Sequence, residues 1–195
     1  MAAGVGAALP VPLTAQTTKP DPTADPVFRE LERQVKALTE SDTHVAKREA
    51  LKQAPVVLST MAAWLEGAGL NDVVREQLAT MVERNGRDAV ITHIVTAAGY
   101  NVKAADVELA VDAILKGNNG SDGIRQMAFQ MARSSGVRLS LVQDGPTASQ
   151  CSGHGFFSAL LATNAFILGL MVPAFGIIVA GAGLIWTWHG WYIGC

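Results

Sequence analysis

The sequence predicts an all-α protein: a helical-bundle body followed by a C-terminal hydrophobic helical hairpin. Three observations carry this. Apolar residues recur at helical spacing between helix-start and helix-stop residues through most of the chain. From Gly145 to Cys195 there is no Asp, Glu, Lys or Arg, so all 15 basic and all 17 acidic residues lie before it. Within that tail, Phe156 to Trp188 is one apolar run with Pro173 near its middle. An uncharged run of this length dissolves best in the hydrocarbon of a bilayer.

Residues 1–24 form an N-terminal arm. Its first part, MAAGVGAALPVPLTAQTT, is small and apolar. It reads either as a signal-like segment with Ala15 at the cleavage position or as a flexible Ala/Pro arm. Lys19 is its first basic residue, and Pro10 and Pro12 interrupt the apolar stretch. QTTKPDPTADP, residues 16–26, is a Pro- and Thr-rich linker.

The body spans 25–143. Asp25-Pro26 places a capping carboxylate before proline at the first helical position, and Phe28, Leu31, Val35 and Leu38 make the apolar stripe. A second helix starts near Thr43, with Pro55 expected to kink or restart it. Asn71-Asp72 is expected to cap a third helix that closes at Asn85-Gly86. Arg87–Ala98 makes a fourth, ended by Gly99, and Ala104–Leu115 a fifth, ended by Gly117. GNNGSDG, 117–123, reads as a turn before a sixth helix, Ile124–Arg133, with Met127 and Met131 on one face. Val137, Leu139 and Leu141 alternate with polar residues, as in a short strand or extended linker. Alone, this body is expected to be soluble and helical.

Residues 144–150, DGPTASQ, are small and polar, a linker and a candidate cleavage site. Beyond them lies the hydrophobic peptide 151–195. Helical throughout, its run of about 33 residues would extend about 50 Å against a hydrocarbon core of about 30 Å. Pro173, between Gly169 and Gly176, therefore divides it into Phe156–Val172 and Ala174–Trp188, as a tight hairpin or as one kinked, tilted helix. Two cysteines, both in the tail, fit one Cys151–Cys195 disulfide and an oxidising compartment. This pairing selects the hairpin, since a disulfide needs Cα atoms within about 7 Å, whereas two free thiols would leave the single span. Trp186, Trp188, Trp191 and Tyr192 at one end, and Phe156 and Phe157 at the other, suit the headgroup region. Gly176, Ala180 and Gly183 give a small-residue face fit for helix packing or self-association. Burial of this run inside a soluble domain is not expected, because a body of this size has little surface to wrap it.

The chemistry of an active site is missing from the pattern. His44, His93, His154 and His189 have no carboxylate or cysteine at triad or ligand spacing, and C-x-x-C and H-E-x-x-H are absent. Acidic residues mostly stand beside basic ones, as in Glu32-Arg33 and Glu83-Arg84, the pattern of a solvated helix face. No catalytic residue, metal ligand or cofactor is expected. The formal net charge of −2 offers no basic surface for nucleic acid, and no polybasic stretch borders the tail.

A charged helical region ahead of a hydrophobic cysteine-containing peptide, beginning near Cys151, resembles bacterial secreted bacteriocin precursors, including those of the sporulation-delaying (cannibalism) toxins. In that family the two cysteines lie close together near the peptide's start, whereas here they bound the tail. AAGYNVKAADVELAVDAIL, residues 97–115, is similar to the helix–turn–helix of leader regions on some ribosomally made, modified peptides. The resemblance implies a secreted or membrane-associated bacterial antimicrobial precursor, with a processing protease, an immunity protein and the lipid bilayer as partners. The alternative is a helical interaction domain held by an uncleaved C-terminal anchor.

Overall fold

The structure is a computed structural model and describes residues 22–40, 43–99, 102–118, 120–136 and 148–195. Those residues are helical, with no strand among them: a 3-10 turn at Pro22–Ala24 precedes α1 (Pro26–Thr39), α2 (His44–Gly67), α3 (Leu70–Asn85), α4 (Arg87–Ala98), α5 (Ala104–Leu115), α6 (Gly120–Gly136), α7 (Ala148–Met171) and α8 (Pro173–Ile193).

Local signals set most of the boundaries. The Asp25 carboxylate accepts from the Val27 amide at 2.9 Å, so α1 starts where the cap and proline place it. All four residues of its apolar stripe are buried. Thr43 caps α2 by accepting from the Ala46 amide at 3.1 Å. Gly86, at φ 81°, turns α3 into α4 in a single residue, a conformation that a side chain would strain.

Three boundaries differ from expectation. Pro55 lies inside a continuous α2 and does not restart it. Proline removes one backbone hydrogen bond, and buried Ala54, Val57 and Leu58 hold the turns around it. Asn71-Asp72 does not cap α3, which begins at Leu70 after Gly69. The Asn71 side chain instead donates to Ser121 Oγ at 2.7 Å and accepts from the Ser121 amide at 3.3 Å, so it ties α3 to α6. Nor is 117–123 wholly a turn: α6 starts at Gly120, four residues before the expected Ile124. The expected strand at 137–141 lies outside the described residues, as do 144–147 of the linker; 148–150 form the first turn of α7.

The centre of the fold is the pair α7 and α8, joined through Val172 alone. The two pack on each other along their length. Helices α3, α4, α5 and α6 lie against α7, while α1, α2 and α6 lie against α8. The expectation that the body could not cover the tail is thus corrected. Six amphipathic helices, each contributing one apolar face, wrap two central ones on all sides but one. Polar ties fasten the wrapping at its rim. Arg87 of α4 donates to Glu108 at 2.8 Å and Asp112 at 2.6 Å on α5. These carboxylates, the Glu108 hydrogen bond foremost, raise the Arg87 pKa. Arg125 of α6 pairs with Glu66 of α2.

Candidate functional site

The residues expected to form the hydrophobic peptide make up the α7–α8 pair. Its open end is closed by the Cys151–Cys195 disulfide, with Cα atoms 5.4 Å apart. The expected pairing is therefore present, and of the two forms left open the returning chain is the one adopted. At the other end Pro173 opens α8 with Val172 alone between it and the end of α7. A Cβ at Gly176 would stand 2.6 Å from Gly169 Cα and 2.8 Å from the Ala165 carbonyl oxygen. Hydrogen in place of a side chain is what lets the two backbones meet there.

Near the disulfide, α7 and α8 are fastened by a contact that sequence spacing does not reveal. His154 stacks on Trp186 with ring centroids 4.5 Å apart, and Trp186 stacks on His189 at 5.0 Å. His154 Nε2 lies 3.0 Å from the Trp186 carbonyl oxygen, while Trp186 Nε1 donates to the His154 carbonyl at 3.2 Å. A Cβ on Gly190 would strike the His154 ring at 2.6 Å, so that glycine makes room for the stack. The histidines have no sequence neighbours to betray them; the signal is a helical register across two helices, visible only once the turn at Pro173 is known.

Four hydroxyl and amide side chains of the pair bond inside their own helix. Buried Thr163 donates to the Ala159 carbonyl at 2.8 Å, and buried Asn164 donates to the Leu160 carbonyl at 2.8 Å. Ser158 and Thr187 do the same with His154 and Gly183, at 2.9 and 3.0 Å. Such back-bonding needs neither water nor a partner protein.

The body meets the pair through shape. Phe175 lies between Phe28 of α1 and Trp64 of α2, each ring centroid 5.1 Å away. A Cβ on Gly181 would collide with Val35, and one on Gly123 of α6 would collide with Leu160. Gly155 likewise gives way to the Asp106 carboxylate of α5, 2.6 Å from where its Cβ would stand. Toward the disulfide, Lys47 sits 5.1 Å over the Trp188 ring, and Tyr192 donates its hydroxyl to the His44 carbonyl at 2.8 Å.

The residues expected to meet a membrane are thus divided. Phe157, Gly176, Trp186 and Trp188 are buried, and Phe156, Gly183 and Tyr192 are half-buried. Pro173, Ala180 and Trp191 are exposed. The four C-terminal aromatics do not form one exposed belt in this state, because Trp186 and Trp188 face inward. What the pair shows to solvent is a different stripe: Ile177, Leu184 and Trp191, seven residues apart on α8, with Leu170 on α7. Beside it runs a groove of about 570 Å³ whose edge is Ala97, Ala98 and Val102. By length and composition, residues 153–171 form one candidate membrane span, half of whose most apolar window is buried in the fold.

Among the described residues, no group of three or more His, Cys, Asp or Glu side chains is placed to hold a metal ion. The region similar to modified-peptide leaders corresponds to the end of α4 and all of α5, with Tyr100 and Asn101 outside the described residues. Against known proteins, the chain matches no protein-family model, no curated protein and no solved structure.

Proposed function

We propose that the chain is the precursor of a membrane-inserting, bacteriocin-like peptide, Cys151–Cys195. The helices of 25–143 keep that peptide folded and dissolved until a protease cuts within 144–150. One observation carries this reading. The disulfide, the His154–Trp186 contacts and the back-bonded Thr163 and Asn164 are internal to the pair. The Tyr192 hydroxyl, which bonds to His44 of the body, lies at the end of α8, where water or headgroups can take that bond over. A unit so satisfied can exchange its apolar wrapping for lipid without stranding polar groups in hydrocarbon.

The driving force is the surface the body hides. Phe175, Ile178 and Ile185 are at most 1% exposed, and without the body much of that surface would face water. Its transfer to lipid is worth about 25 cal/mol per Å². The stripe Ile177, Leu184 and Trp191 is the part free to touch a bilayer first. Gly176 is taken up by α7 within the pair, so exposed Ala180, with half-buried Gly183 one turn on, lets inserted copies approach closely and form a leak. The peptide is secreted or membrane-associated, and its producer carries a processing protease and an immunity function.

The test is dye release from vesicles by the oxidised Cys151–Cys195 peptide, together with a mass search for that fragment in medium and membranes of a producing culture. Leakage and a fragment support the precursor. In the uncleaved-anchor reading, which the single candidate span 153–171 favours, the peptide binds vesicles without leakage and no fragment is found.

A further inference from the structure

We propose that the cut body is itself an antidote, a binding module whose ligand is the oxidised α7–α8 peptide, its own or that of a second copy. This rests on the precursor reading and goes one step past it. Cleavage would leave a one-to-one complex that holds the peptide harmless where it is made, and dilution away from the source would separate the two.

The interface has the marks of a recognition surface as well as of a core. Its close approaches are reciprocal. The peptide gives up a side chain at Gly181 to admit Val35 of the body, and at Gly155 to admit Asp106. The body gives one up at Gly123 to admit Leu160 of the peptide, and at Gly120 to admit Asn164. Contacts of this kind fit one shape and reject others, unlike a merely apolar face. Along α8 the grip has two ends, the Phe28–Trp64–Phe175 cluster and the Lys47–Trp188 and His44–Tyr192 contacts. Buried aromatic anchors of this type dominate binding energies.

None of these contacts uses residues 137–147. Cutting there removes the tether, and with it the high effective concentration of the peptide, but leaves every named contact in place. Every Asp, Glu, Lys and Arg of the chain lies at or before Asp144, outside the peptide Cys151–Cys195, so the complex keeps a charged coat.

The experiment uses the full chain with a specific protease site placed in 137–147. After cutting, the two fragments should co-elute where the uncut 20.5 kDa chain does and separate only on dilution. Labelled oxidised peptide should exchange into the cut chain and not into the uncut one. The cut complex should leak vesicles far less than the same amount of free peptide. In Gly123→Val, whose peptide is unchanged, the concentration at which half the complex separates should rise by at least about tenfold. Val35→Ala, which cannot clash, should raise it less while keeping the fold; far-UV circular dichroism of the uncut variants checks both. Fragments that elute apart at every concentration, with full leakage, overturn the antidote and leave the precursor reading standing. Failure of the free peptide to leak vesicles overturns both.

Discussion

Phe28, in the first turn of α1, meets Phe175, in the first turn of α8, with ring centroids 5.1 Å apart and planes inclined by 63°. The two residues come from opposite ends of the described chain, and the contact places body and tail in one hydrophobic core. Phe28→Ala should therefore destabilise the whole precursor by about 3–5 kcal/mol. Urea unfolding followed at the tail tryptophans and by far-UV circular dichroism should show one transition, moved to lower urea. Since Phe28 lies outside the peptide, vesicle leakage by Cys151–Cys195 should not change. Two separated transitions would mean that the tail folds apart from the body.

Ile177 and Ile178 are neighbours with opposite surroundings: Ile177 is 69% exposed and Ile178 is 1% exposed. Arginine at either one meets hydrocarbon if the peptide inserts, at about 2.5 to 3.5 kcal/mol, or about a hundredfold in partitioning. In the precursor, Ile177→Arg should change stability by no more than about 0.5 kcal/mol, as for a surface site. Ile178→Arg should prevent or severely weaken folding. Dye release and urea midpoints, measured on both, should separate membrane function from fold. Full leakage by the Ile177→Arg peptide would remove membrane insertion of α8 from the mechanism.

The disulfide closes a loop of about 45 residues, worth roughly 4 kcal/mol to the paired form in the chain-entropy account, whose mechanism is disputed. Cys151→Ser and Cys195→Ser should each weaken the isolated peptide's protease resistance and leakage, and the double substitution should be no worse than either. In the intact precursor the loss should be smaller, because the body and the His154–Trp186 contacts also hold the two helices together. The non-reduced tail should weigh two daltons less than the reduced one. Two alkylatable thiols in protein from an oxidising compartment would contradict this.

Features legible in the sequence were those whose causes are local. Asp25-Pro26 and the 28–31–35–38 stripe act within one or two turns, so the start and the buried face of α1 follow directly. Asn71 misleads because its partner Ser121 lies fifty residues on, and a distant hydrogen bond competes with the capping role. His154 and Trp186 are separated by the Pro173 turn, so no spacing rule pairs them. The disulfide was legible because both cysteines lie in the tail and none in the body, an even pair that fits one bond. Burial of the tail was not legible: an uncharged helix satisfies a protein core and a bilayer by the same composition. The exposed stripe of Ile177, Leu184 and Trp191 becomes visible only against the faces the body has taken.

Removing the tail is the severest test of this architecture. The sequence expectation was a body that is soluble and helical by itself. In the fold, however, α7 and α8 stand between α1 and α2 on one side and α4 and α5 on the other. Without them Phe28, Val35 and Trp64 lose Phe175 and Gly181. Residues 25–143 alone should therefore keep a helical far-UV spectrum, because their caps and stripes are local. They should nevertheless bind the dye ANS and unfold over a broad range of urea, as a helical state with loosened packing does. Adding oxidised Cys151–Cys195 peptide should quench the dye signal and restore a sharp transition, by mass action on the folded form. A tailless body that leaves ANS dark and unfolds sharply would show instead that its six helices hold a core of their own, with the tail laid on a surface already made.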